Sequence, residues 1–223
     1  MSSILYIGPS WAARSYDTVE GLESEFTNLI KELELDVDVI DLSKRGLTNN
    51  DCLMRINKIN TPFKGIIWVY CEPIEEVSHN LKQSLIESNN FWAIREKINQ
   101  RIMSSINALN CPVALIGAHS DVGIKDYKNI TVIHPSWQKF LANEVGVELN
   151  HGWGAEIAHR IAMYEFPKSR PSREFIDYTS DTLRAWNQME MLGVFRGVHP
   201  NRKGNEIFAK EIKSNIQSFI NNL

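Results

Sequence analysis

Three short runs in this chain are apolar at nearly every position, and each stops abruptly at a turn. Ile4-Leu5-Tyr6-Ile7 ends in Gly8-Pro9-Ser10. Gly65-Ile66-Ile67-Trp68-Val69-Tyr70-Cys71 ends in Glu72-Pro73, and Pro112-Val113-Ala114-Leu115-Ile116 ends in Gly117-Ala118-His119-Ser120. Side chains of a strand alternate between two faces, so a run apolar at every position must be covered on both. Such strands belong to a parallel sheet between two layers of helices. Two weaker runs have the same form. Val37, Val39 and Ile40 close in Asp41-Leu42-Ser43, and Ile130 to Ile133 closes in His134-Pro135.

Between the runs the apolar residues return at helical spacing. Leu22, Phe26, Leu29, Ile30 and Leu33 predict a helix after the first strand. The loop Lys44-Arg45-Gly46-Leu47-Thr48-Asn49-Asn50 leads to a short helix over 52–59, and a long helical region covers about 75–109 with a break at Asn89-Asn90. From Ser136 onward the pattern is helical with interruptions. It ends in a stripe of Ile207, Phe208, Ile212, Ile216, Phe219 and Ile220 behind Asn201, a natural N-cap. Strand and helix alternate throughout. The expected fold is therefore three-layer α/β/α, an open, doubly wound parallel sheet of five strands. The weakest link is 119–129, which is short for a crossover helix. In such sheets the site lies beyond the C-terminal ends of the strands. Ser10, Gly46, Cys71, Glu72, His119 and His134 all follow predicted strands and are candidates to face one crevice.

Composition narrows the function. The 223 residues make one domain over 1–223 the default. A net charge of −3 gives no electrostatic case for nucleic acid or an anionic membrane. Cys52, Cys71 and Cys111 form no CxxC pair, so neither a disulfide framework nor a thiolate metal site is indicated. No HExxH or similar spacing exists, so no metal and no cofactor is expected. The N-terminus has no basic segment before a long apolar one, and no run reaches the ~18 apolar residues of a membrane span. The expected setting is cytoplasmic and reducing, with a small-molecule substrate as partner.

Two residues have the chemistry of acyl transfer. Ser10 opens a turn after a strand, where a hydroxyl becomes a nucleophile given a base and oxyanion donors. His199 lies in Phe195-Arg196-Gly197-Val198-His199-Pro200-Asn201, a polar loop that runs straight into the last helix. That placement would pin the imidazole, partly exposed, where a general base is wanted. Trp11, Arg14 and Ser15 share the Ser10 segment.

Ile7-Gly8-Pro9-Ser10, Gly46-Leu47-Thr48-Asn49 and Val198-His199-Pro200-Asn201 with Gly204 stand in this order along the chain. In this arrangement the chain resembles the SGNH (GDSL-type) hydrolases at their blocks I, II and V. That family comprises esterases, lipases, thioesterases and carbohydrate O-acetyl esterases on a flavodoxin-like core. The resemblance implies Ser10 as nucleophile, His199 as base, and the backbone N–H groups of Ser10 and Gly46 as oxyanion donors. It implies an ester substrate, with an O-acylated carbohydrate preferred.

Three departures accompany the resemblance. Pro9 stands where the family has Asp. Block III lacks its oxyanion asparagine, because the third strand runs into Cys71-Glu72-Pro73-Ile74; Asn49 is the substitute candidate for that donor. Arg196 stands where an aspartate should orient the histidine, and a guanidinium cannot accept the Nδ1–H bond. A backbone carbonyl, Asp177, Asp181 or Glu190 is left to do so. Arg196 and Arg14 are candidates to bind an anionic group, and Trp11 and Trp153 to contact substrate. The alternative reading is a catalytically impaired member with a binding or structural role. It would serve in a virion or a larger assembly, since small stand-alone chains of this kind look similar to ones encoded by bacteriophages.

Overall fold

The apolar runs pair side by side, as two-sided burial requires. The computed structural model describes residues 3–13, 28–78, 81, 84–85, 87–88, 90–118, 122, 127–149, 184–196 and 199–223. Five parallel strands form one sheet in the order β2-β1-β3-β4-β5. They are β1 (Ser3–Ile7), β2 (Val39–Asp41), β3 (Phe63–Tyr70), β4 (Val113–Gly117) and β5 (Ile130–His134). The β4–β5 link, doubtful on length, does join parallel neighbours: Val113 pairs with Ile130 and Leu115 with Val132. This is the open, doubly wound α/β sheet expected from the sequence.

The helices divide between the two faces. Helix α1 (Leu29–Leu33), α4 (Trp137–Glu144), α5 (residues 184–191) and α6 (Arg202–Asn221) lie on one side. There Leu29, Trp137, Phe208 and Ile212 pack on Ile4, Tyr6, Ile67 and Ile116. Helices α2 (Asn49–Ile56) and α3 (Phe91–Asn107) lie on the other, where Cys52, Ile102 and Ile106 pack on Leu5, Ile7, Ile66, Trp68 and Leu115. Adjacent residues of β1 and β3 thus enter different cores, which is why those strands read as continuous apolar runs.

Several boundaries differ from expectation for local reasons. Helix α2 begins at Asn49 rather than Cys52, because Thr48 and Asp51 form a reciprocal capping box. The helical region expected from about residue 75 opens with a 3-10 turn at Pro73–Glu76, while α3 begins after Asn90, at the break expected there. The loop expected before the last helix is a miniature antiparallel ladder. Phe195–Arg196 (β6) pairs with His199–Pro200 (β7), Arg196 opposite His199. Leu22, Phe26 and Asn89 lie outside the described residues.

Candidate active site

The sheet places its strand ends side by side, and residues nearly the whole chain apart meet there. Tyr6 at the end of β1 donates its hydroxyl to the Ala12 carbonyl at 3.1 Å, and the Pro9 carbonyl accepts from Ala12 N–H at 2.9 Å. These bonds fold 9–12 into a tight turn with Ser10 half-buried. From the far end of the chain, β7 delivers His199. Its Nε2 lies 2.8 Å from Ser10 Oγ. Asn201 and Gly204, singled out in the sequence, both act on the backbone. The Asn201 side chain accepts from Gly204 N–H at 3.0 Å and donates to the Gly193 carbonyl at 3.0 Å, which fixes the entry to α6. At Gly204 a Cβ would lie 2.4 Å from the Val194 carbonyl oxygen, so only glycine permits this approach.

His199 is 5% exposed, not partly open as expected, because Trp11 and the last helix close around it. Burial and, secondly, the positive charge of Arg45 push its pKa down to about 4. The imidazole is therefore neutral at neutral pH. In the Nδ1–H tautomer its Nε2 accepts the Ser10 hydroxyl proton, the arrangement a general base requires.

Trp11, expected to contact substrate, is instead a core residue. It is 3% exposed and meets Trp137 edge-on at 5.4 Å, Phe195 at 5.7 Å and His199 at 6.4 Å between ring centroids. Its role in the structure is to pack behind the histidine. Asn49 also departs from expectation. It is fully buried, its amide donates to the Cys71 carbonyl at 2.9 Å, and its Oδ1 accepts from Cys71 N–H at 3.0 Å and Trp68 Nε1 at 3.2 Å. Those bonds tie α2 to the end of β3 and occupy the amide inside the protein. Glu76 holds the same helix start by accepting from the backbone N–H groups of Asn49 and Asn50.

Gly46 lies exposed in the turn after β2 with φ +76°, a left-handed conformation that glycine adopts without strain. The turn is set against the Ser10 corner by Lys44 N–H, which donates to the Gly8 carbonyl at 3.2 Å, and it is closed by Leu47 N–H on the Lys44 carbonyl at 3.3 Å. Glu72, just beyond the end of β3, is 3% exposed and held by Arg95 in a two-pronged pair, Nε–Oε1 2.6 Å and Nη2–Oε2 3.0 Å. The guanidinium neutralises this buried carboxylate.

Arg196 faces outward. Its guanidinium is more than half exposed and sits 3.7 Å from Glu190. His134 also serves structure. Its Nδ1 accepts from Ser136 N–H at 3.2 Å, and its ring packs on Phe140 and Phe208. Arg14, Ser15, His119, Trp153, Asp177 and Asp181 lie outside the described residues. Among the described residues no cluster of three His, Cys, Asp or Glu could hold a metal ion, and no helix is long and apolar enough to cross a membrane. Arg45, which sequence reasoning passed over, bears electrostatically on His199; its position next to Gly46 was the available signal.

No protein-family model matches this chain, and no curated protein sequence does. Solved structures similar to it include two esterases. One is the psychrotrophic esterase EstA from Pseudoalteromonas sp., in a structure inhibited by monoethylphosphonate. It is 13% identical with a TM-score of 0.39, covering 99% of this chain and 100% of that one. The other is the inhibitor-bound aryl esterase of M. smegmatis, 9% identical with a TM-score of 0.40, covering 98% and 99%. The sheet order and parallel register, not these likenesses, define the fold class.

Proposed function

We propose that the chain is a serine esterase of the SGNH type working with a Ser10–His199 pair. The observation that carries this reading is the 2.8 Å contact between Ser10 Oγ and His199 Nε2, made by residues 189 positions apart. In the proposed reaction Ser10 Oγ bonds to the ester carbonyl carbon as its proton passes to His199 Nε2. The backbone N–H groups of Ser10 and Gly46 hold the oxyanion. His199 then returns the proton to the departing alkoxide as the ester C–O bond breaks. Water gives a proton to His199 Nε2 as its oxygen attacks the acyl-enzyme carbonyl; the Ser10 Oγ–acyl bond then breaks, His199 returns the proton to Oγ, and the acid leaves.

Two features distinguish this site from a full triad. The imidazolium formed in each step meets burial and the Arg45 charge, while Arg196 replaces the aspartate that would stabilise it. Loss of that carboxylate in a serine-protease triad costs about 10⁴ in kcat, so slow turnover is expected. The substrate class we favour is a small or carbohydrate-borne ester. The second reading, a silent scaffold with a binding role in a larger assembly, is favoured by the buried Glu72–Arg95 pair, since no asparagine follows β3. A fluorophosphonate probe decides between them. Labelling of the wild type that disappears in Ser10→Ala, with hydrolysis of short p-nitrophenyl esters, supports the esterase. Absence of both in the wild type supports the scaffold.

A further inference from the structure

We propose that Glu76 is a positioning residue for this site: its carboxylate holds in place the turn whose Gly46 N–H meets the oxyanion. The inference rests on the esterase reading above and concerns what aims one of its two oxyanion donors.

The turn after β2 is short and is fixed at both ends. At its start Lys44 N–H donates to the carbonyl of Gly8, two residues before Ser10, at 3.2 Å. At its end stands Thr48, the N-cap of α2. Residues 45–47 lie between, and Leu47 N–H closes them onto the Lys44 carbonyl at 3.3 Å. The direction of the Gly46 N–H therefore follows from where the two ends are held. Lys44 is tied to the Ser10 corner itself. Thr48 moves with the first turn of α2. Leu47 is buried beneath the turn, but apolar burial is non-directional and does not aim an N–H.

A helix start leaves four backbone N–H groups without intrahelical partners. In α2 the capping box serves two of them: Thr48 N–H donates to Asp51 Oδ2 at 3.0 Å and Asp51 N–H to Thr48 Oγ1 at 3.1 Å. Glu76 takes the other two. Its Oε1 accepts from Asn49 N–H, and its Oε2 accepts from Asn50 N–H at 3.2 Å. The capping box is internal to residues 48–51, so it shapes the helix start without locating it. Glu76, in the 3-10 turn beyond β3, and the Asn49 amide on the Cys71 backbone locate it against the sheet. Of these two ties the Glu76 one is charged. A carboxylate at the positive end of a helix makes charge-assisted bonds, roughly twice as strong as neutral ones. Asn49 is fully buried, so without Glu76 its N–H reaches water only if the helix start moves. That motion carries Thr48, and with it Gly46 two residues earlier, away from a Ser10–His199 pair that stays where it is. A misplacement of about 1 Å at a reacting centre costs on the order of 10²-fold in rate.

The test measures kcat and KM for p-nitrophenyl acetate on the wild type, Glu76→Ala and Glu76→Gln, with and without Gly46→Ala. Glu76→Ala is expected to lower kcat about tenfold with KM nearly unchanged, short of the ~10²–10³ that outright loss of an oxyanion donor costs. Glu76→Gln keeps an acceptor and loses the charge, and should restore part of the rate. Urea denaturation sets a temperature at which each variant is folded; should Glu76→Ala not fold, Glu76→Gln carries the comparison. Because Glu76 acts through Gly46, the two losses should not multiply. In Gly46→Ala, where a φ of +76° strains any other residue, adding Glu76→Gln should change kcat little. An unchanged kcat, a loss confined to KM, or losses that multiply in full in the double variant would overturn the inference and leave the esterase reading standing. Turnover of no ester by the wild type would sink the esterase reading instead. The Gly46 amide resonance then decides for Glu76: a resonance shifted or broadened in Glu76→Gln supports the positioning role, and an unmoved one overturns it.

Discussion

Acidification should destabilise this protein through one histidine, and the size of the effect follows from the site. In the folded chain the His199 pKa is pushed down to about 4 from an ordinary 6.5, first by burial and second by Arg45. Above pH 6.5 the residue is neutral in both states and contributes nothing to pH dependence. As the pH falls below 6.5 the unfolded chain takes up the proton and the native chain does not, so stability falls. The loss develops down to about pH 4 and then levels off, because both states are protonated. A tenfold change in proton affinity is about 1.4 kcal/mol, so the full loss is about 3 kcal/mol, of which about 2 kcal/mol is present by about pH 5. The assay is urea denaturation at about pH 7.5 and pH 5 on the wild type and on His199→Gln, which keeps a polar side chain but does not titrate. Carboxylates shared by the two proteins cancel in the comparison. The wild type should lose about 2 kcal/mol more than the variant over this interval. Equal losses would refute the reasoning, as would a His199 ring resonance that titrates near the ordinary histidine value. The same low pKa predicts an acid limb of any esterase pH–rate profile well below the one an ordinary histidine base gives.

Two further outcomes test the supports of the site. Arg95→Met leaves the Glu72 carboxylate buried without its guanidinium and should cost about 3–5 kcal/mol in urea denaturation, while adding Glu72→Gln should recover part of the loss. Asn49→Ala removes a bridge of three buried hydrogen bonds at the end of β3 and should cost about 2–4 kcal/mol of stability. If it instead lowers kcat with stability unchanged, the amide is an oxyanion donor after all.

Strand placement was legible because a strand buried on both faces must be apolar at every position, and few other patterns look like that. The runs at Ile4–Ile7, Gly65–Cys71 and Pro112–Ile116 became β1, β3 and β4 within a residue or two at most boundaries. The capped start of α6 was legible for a similar reason: an N-cap is a local event, set by Asn201 and the backbone that follows it. Boundaries were missed where a side chain reached further. The helix expected at Cys52 starts at Asn49, where Thr48, Asp51 and Glu76 satisfy its first N–H groups, and Glu76 comes from beyond β3.

The site divides along the same line. Residue type and order were enough to single out Ser10, Gly46 and His199 as residues with the right chemistry at the ends of elements. They could not say what each side chain touches, because that depends on groups distant in sequence. Trp11 looked like a residue beside a nucleophile and is a wall of the core, because Trp137 and Phe195 fold against it. Asn49 looked like a spare amide and is consumed by the backbone of Cys71. Arg196 looked like a threat to the histidine. The antiparallel ladder turns it outward to Glu190, while Arg45, unremarkable in sequence, bears on the imidazole instead. By itself the sequence determined a parallel α/β sheet and a short set of candidate residues at its strand ends, since periodicity and caps are local properties of a chain. Only the tertiary structure decided which of them meet, how deeply the histidine is buried and which charge it feels, since burial and Coulomb energy depend on distance in space rather than along the chain.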